Sequence, residues 1–191
     1  MRSQARCDKK PDPIFSRVFR KLYTLPCWNV KPGCGSFLTF EFGQPHLEID
    51  EPREPKNEVS PKVRRWLASR RIYVHGDWHL WIYGCDWFVS QGGKVVADCT
   101  SRRRIQKAAD TLDGQKLVAA TIIPRGSRSI FEFDLGGRLE TKPYDRKSEQ
   151  WMLFTPSGRV LTLRADRMYS YHPGDKIVRE EDWKPIQTSA V

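Results

Sequence analysis

From Phe37 onward, apolar and polar side chains alternate with a period of two, the pattern of strands that bury one face. Phe37-Leu-Thr-Phe-Glu-Phe-Gly43 and His46-Leu-Glu-Ile-Asp50 carry it, and with only Gln44 and Pro45 between them they predict a hairpin. The longest alternating run is Arg71 to Val89. Its even positions Ile72, Val74, Trp78, Leu80, Ile82 and Phe88 are apolar and predict the core side. Its odd positions Tyr73, His75, Asp77, His79, Trp81, Tyr83, Cys85 and Trp87 are polar or aromatic. The run predicts one long strand, or two broken near Gly84. Further strands are predicted at 94–99, 116–123, 129–135, 138–142, 149–155 and 159–164, with Gly136-Gly137 and Ser157-Gly158 as two-residue hairpin turns.

The pattern switches to helical spacing in three places. Ile105, Ala108, Ala109 and Leu112 fall at i, i+3, i+4 and i+7, with Thr100 or Ser101 as cap and Gly114 as stop. Ser60-Pro61 opens a shorter helix at about 61–70 with Val63, Trp66 and Leu67 on one stripe. Ile14, Phe15, Val18, Phe19 and Leu22 form a third stripe, interleaved with Arg17, Arg20 and Lys21. Together these predict an α+β fold: a mainly antiparallel β meander, or curled sheet, packed around one central helix at about 101–112. The expected organisation is a basic N-terminal extension at 1–36, flexible or partly helical, a single α+β domain at 37–175, and a C-terminal tail at 176–191.

Composition narrows the class. The chain has 191 residues, of which 39% are hydrophobic and 12% aromatic, enough to supply a core and to exclude full disorder. No run of 18 apolar residues predicts a membrane-spanning helix. The net charge is +10. Residues 1–36 hold eight basic and two acidic side chains, or +6, and the other 155 hold 25 basic and 21 acidic, or +4. The basic character therefore belongs largely to the N-terminal segment. The five cysteines (Cys7, Cys27, Cys34, Cys85 and Cys99) are odd in number and irregular in spacing, so they form neither a disulfide framework nor a paired zinc knuckle. Reduced thiols and the lack of an apolar signal region predict a cytoplasmic protein.

Four constellations carry candidate chemistry. The odd face of the long strand offers Tyr73, His75, Asp77, His79, Trp81, Tyr83 and Trp87 as a binding face. On a continuous strand His75 and His79 stand about 13 Å apart, too far for both to bind one ion with bonds of about 2.0–2.1 Å; one of them with Asp77 would need further ligands from other strands that the sequence does not identify, and no metal site or cofactor is predicted. Cys85 or Cys99 near these histidines would suit a thiol nucleophile, against the plainer role of a buried apolar side chain. Arg102, Arg103 and Arg104 open the best helix, where free N–H groups attract an anion. Arg64, Arg65, Arg70 and Arg71, beside the aromatic residues, would suit a nucleic acid if they share a face. No P-loop, G-x-S-x-G, H-E-x-x-H or G-x-G-x-x-G motif is present.

The segments Phe131-Glu-Phe-Asp-Leu-Gly-Gly-Arg-Leu-Glu-Thr141, Ser148-Glu-Gln-Trp-Met-Leu-Phe154 and Pro156-Ser-Gly-Arg-Val-Leu161 resemble a family of small uncharacterised bacterial proteins. In those, a strand ending in Asp-Leu-Gly precedes a Glu-x-Trp strand and a Ser-Gly hairpin, and some are similar to immunity partners of secreted toxins. The resemblance is firmest over 128–163, consists of turn glycines and strand aromatics, and brings no catalytic residue. The expected function is a non-enzymatic macromolecule-binding protein, of immunity type, whose partner is another protein. The alternatives are a basic nucleic-acid-binding protein, or a metal- or thiol-dependent enzyme centred on the 75–85 strand.

Overall fold

The structure, a computed structural model, describes residues 13–55, 57–123 and 126–187. Residues 1–12, with Cys7 and four basic side chains of the expected extension, and residues 188–191 of the expected tail lie outside this range. The described residues form an α+β fold dominated by antiparallel strands.

Helix α1 (Pro13–Phe19) comes first, then β1 (Cys27–Pro32), β2 (Leu38–Phe42) and β3 (His46–Asp50). Helix α2 (Pro61–Leu67) precedes β4 (Arg71–His75), β5 (Trp78–Ile82), β6 (Asp86–Gln91) and β7 (Lys94–Asp98). Helix α3 (Arg102–Leu112) leads into β8 (Leu117–Ile123), β9 (Arg128–Phe133), β10 (Gly137–Lys142), β11 (Glu149–Phe154), β12 (Arg159–Arg164), β13 (Met168–Pro173) and the short β14 (Lys184–Pro185). Ser60 caps α2 and Ser101 caps α3, each accepting a backbone N–H three residues on.

Among the described residues, one sheet has the order β1-β2-β5-β11-β12-β13-β14 and a second the order β7-β6-β10-β9-β8. The strands β3 and β4 form a separate two-stranded ribbon. Rings from the two large sheets meet in the core: Phe40 stacks 6.3 Å from Phe133, and Phe131 lies edge-on 6.1 Å from Trp151.

The sheets do not curl around α3. That helix buries Ile105, Ala108, Ala109 and Leu112 against β1 and β7, the edge strands of the two sheets, so it closes one side of the core instead of forming its centre. Helix α1 packs against rings of both large sheets. Ile14, Phe15, Val18 and Phe19 are buried, with Leu22 beyond them, and Phe19 meets both Phe131 and Trp151. From residue 13 the expected extension is thus partly helical and part of the core. β1 pairs with β2, so a boundary at residue 37 cuts through a paired sheet. The segment after 176 also returns to the fold: β14 pairs with β13, and Ile186 is buried.

Two other expectations change. The β2 and β3 segments are both strands but not a hairpin, because β2 pairs with β1 and β5 while β3 pairs with β4. The 71–89 run is three strands, not one or two. It breaks first at Gly76-Asp77 and again at Gly84-Cys85, where the chain leaves one sheet for the other. Both glycines sit at close approaches. A Cβ at Gly76 would lie 2.4 Å from the Phe42 carbonyl oxygen, and one at Gly84 would lie 2.0 Å from that of Glu149. The burial parity therefore holds only in β5, where Trp78, Leu80 and Ile82 are core. In β4, Ile72 and Val74 are exposed, and in β6 the odd-numbered Trp87 and Val89 are buried.

Candidate functional site

β2 alternates Leu38, Phe40 and Phe42 toward the core with Thr39 and Glu41 on its other face, yet all five are buried. β5 is the neighbour of β2 in the same sheet, and this sheet face and the β3–β4 ribbon line a groove of about 920 Å³. Tyr73, His75, Asp77, His79 and Trp81 all line it, together with Lys31, Phe37, His46, Glu48 and Phe154. Five of the seven residues expected on a binding face are thus brought together. The other two are not. Tyr83 packs 5.3 Å from Phe37 and its hydroxyl donates to Glu149. Trp87 belongs to the core, with its indole N–H donating to the Ser36 carbonyl at 2.9 Å.

The break at Gly76 also overturns the separation expected for the histidines. His75 ends β4 and His79 lies in β5, and the turn between them folds one ring toward the other, so their centroids are 4.9 Å apart. Both face Glu41, which the sequence reading did not single out. Its Oε1 lies 3.1 Å from His75 Nδ1 and 3.5 Å from His79 Nε2, while its Oε2 accepts the Gly76 N–H at 2.9 Å. Glu41, His75 and His79 are the described residues whose ligand atoms converge closely enough to hold a metal ion. The signal for Glu41 was a carboxylate between two phenylalanines of a strand, visible only once its neighbours were known.

Burial governs the charges here. It raises the Glu41 carboxyl above its usual value, against the opposing pull of the Gly76 N–H and His75. It also lowers His79 to about 3, with the charges of His75 and Lys31 acting in the same direction, so His79 is a neutral imidazole near pH 7. The Trp81 indole N–H donates to His79 Nε2, and Trp81 and Phe154 pack 5.3 Å apart on the groove wall. Asp77 has a structural contact, accepting the Gln44 N–H at 2.8 Å.

The ribbon presents two unlike faces. His46–His75 and Glu48–Tyr73 pair across it on the groove side. Leu47–Val74 and Ile49–Ile72 pair on the other side, where exposures of 64%, 45%, 52% and 59% leave four aliphatic side chains in solvent. On α2, Val63 and Trp66 are exposed as well, and the Arg71 guanidinium stacks 3.3 Å from the Trp66 ring.

The arginine groups are partly engaged. Arg70 pairs with Glu51, Arg71 with Asp50 and Arg104 with Asp98. Arg102 donates to the Gly33 carbonyl at 2.7 Å, while Arg64, Arg65 and Arg103 are exposed. Cys27, Cys34, Cys85 and Cys99 are free thiols. Burial pushes Cys27 up to about 12 and raises Cys85 further, which works against a thiolate at either position.

No family model matches the chain, and no curated protein or solved structure does either. Among the described residues, no helix is long and apolar enough to cross a membrane.

Proposed function

We propose that this is a protein-binding protein whose contact element is the β3–β4 ribbon. The observation that carries the reading is the outer face of that ribbon. Leu47, Ile49, Ile72 and Val74 form two cross-strand aliphatic pairs in solvent, on a ribbon that joins neither large sheet. Burying such side chains stabilises by about 1.5–3 kcal/mol each when they move fully out of water, and contiguous exposed apolar patches mark interaction surfaces. A partner with a complementary apolar surface fits this face. An immunity-type protein is the finer form of the same reading, with a toxin as the partner.

The nucleic-acid alternative has less support. Acidic neighbours already neutralise Arg70, Arg71 and Arg104. The thiol-enzyme alternative is weakened by the raised cysteines.

The test compares the full chain with a Leu47→Lys, Ile72→Lys double variant. Both side chains are exposed, so the variant should keep the wild-type melting temperature. A nuclease-treated pull-down is expected to recover a protein with the wild type and to lose it with the variant. Equal recovery by both, or a partner released by nuclease, refutes the reading. Sedimentation at graded concentration separates a second copy of the chain from a foreign partner.

A further inference from the structure

We propose that Glu41, His75 and His79 form a binding site for one divalent transition-metal ion of the zinc type. The site lies under the groove face of the ribbon, opposite the aliphatic face, and does not depend on the partner proposed above.

The first argument is geometric. Around a tetrahedral ion with bonds of about 2.0–2.1 Å, neighbouring ligand atoms stand about 3.3–3.4 Å apart. Glu41 Oε1 is 3.1 Å from His75 Nδ1 and 3.5 Å from His79 Nε2. All three ligand atoms lie within 4.8 Å of one another. Two edges of the tetrahedron are already at length, and the third closes with a shift of about 1.5 Å at most, within reach of imidazole rotation.

The second argument is the outer shell. Metal-binding histidines usually hand their other N–H to a carboxylate or carbonyl, and ligating carboxylates are themselves held by hydrogen bonds. The second feature is present, and the first is approached at His75. His75 Nε2 lies 3.5 Å from Glu48 Oε2 across the ribbon, and the Gly76 N–H holds Glu41 Oε2 so that Oε1 faces the histidines. This positioning depends on Gly76, where a side chain would collide with the Phe42 backbone.

The third argument is charge and access. The Glu41 and Glu48 carboxylates supply two negative charges beside a divalent ion, which would sit between Glu41 Oε1 and His75 Nδ1 where these atoms now share a hydrogen bond. Lys31 is the cation on the same wall and opposes binding. Two imidazoles and one carboxylate are a donor set that suits zinc over magnesium or calcium. Because His75 and His79 line the groove, the remaining coordination position opens into it, available to water or to an anionic donor.

One contact competes with the ion. The Trp81 indole N–H donates to His79 Nε2, the lone pair that the metal needs. Removing this donor should therefore strengthen binding, an outcome that a purely hydrogen-bonded cluster does not predict.

The experiment uses the untagged full chain, stripped with a chelator, and zinc or cobalt(II) as probe. Calorimetry should find one zinc equivalent bound. Cobalt(II) should give the intense visible absorption of a tetrahedral site without a thiolate-to-cobalt charge-transfer band. Glu41→Gln and His75→Ala should each weaken binding at least tenfold, His46→Ala on the groove rim should leave it unchanged, and Trp81→Phe should tighten it about two- to tenfold. Stoichiometric binding that survives Glu41→Gln and His75→Ala, or a cysteine charge-transfer band, overturns the proposal. So does the absence of one-to-one binding by the wild type. If Glu41→Gln fails to fold, the wild-type cobalt spectrum and Trp81→Phe still decide. Loss of metal binding with the partner retained would separate this inference from the ribbon reading.

Discussion

Truncating Phe19 to alanine tests whether the N-terminal helix belongs to the core. The side chain is fully buried and its ring sits 5.7 Å from Phe131 and 5.5 Å from Trp151, one in each large sheet. Removing it leaves a cavity lined by rings that cannot readily collapse, and Phe→Ala at such a site costs about 3–5 kcal/mol. For a domain of this length, 1 kcal/mol moves the melting temperature by about 2–4 °C, so the expected drop is about 6–20 °C. Calorimetry on wild type and Phe19→Ala reads it directly, and Arg20→Ala, exposed on the next position, serves as a control expected to stay near zero. If residues 13–25 were an appendage, their loss of packing would be local and the global transition would barely move. A drop under about 2 °C would refute the placement of α1 in the core.

Two further predictions follow from buried polar chemistry. Alkylation of the native protein at mildly alkaline pH, mapped by mass spectrometry, should modify exposed Cys34 while Cys27 and Cys85 react only after unfolding; native labelling of Cys85 would reopen the thiol-enzyme reading. At the C-terminal end, buried Arg164 pairs with Asp166 and Glu180 and stacks 4.5 Å from Trp183. Despite the upward pull of burial on Asp166, the Arg164 hydrogen bonds hold both carboxyls below their ordinary values of 3.8 and 4.5. A carboxyl lowered by folding contributes stability above its unfolded value and loses it as pH falls through the folded one, so this contribution should decline as pH drops below 4.5 and then 3.8, and vanish once both lowered carboxyls are protonated. Arg164→Met should remove that acid dependence and lower the melting temperature at pH 7, by less than the loss of a fully buried pair because Glu180 is exposed; an unchanged acid profile would count against the clamp.

Local chemistry made much of the fold legible. Ser60-Pro61 and Ser101 mark helix starts, the turns near Gly136 and Ser157-Gly158 fall where predicted though each spans three residues (134–136 and 156–158) instead of two, and the meander strands fall close to their predicted positions. These features depend on residues within a few positions of one another. The pairing of β1 with β2, of β5 with β11, and the edge position of α3 depend on contacts between distant segments, which periodicity does not encode. β1 was harder still to see, since it reads Cys-Trp-Asn-Val-Lys-Pro, with a bulge between Trp28 and Lys31 that breaks the alternation.

The candidate site shows why that distinction matters for function. The distance argument against a shared ion at His75 and His79 is sound for a strand, because four residues of extended chain cannot be shortened. It fails here at a single dipeptide. Gly76-Asp77 interrupts the run with two residues that favour turns, and the chain folds back so that His75 and His79 come to face the same carboxylate. The even-numbered residues carry the same information from the other side. Ile72 and Val74 share the parity of Trp78, Leu80 and Ile82, yet they are exposed while the latter are buried. A continuous strand would have placed all five on one face. The turn that brings the two histidines together is therefore also what leaves an aliphatic ribbon face in solvent. The groove cluster and the exposed aliphatic face are two consequences of one break in the strand.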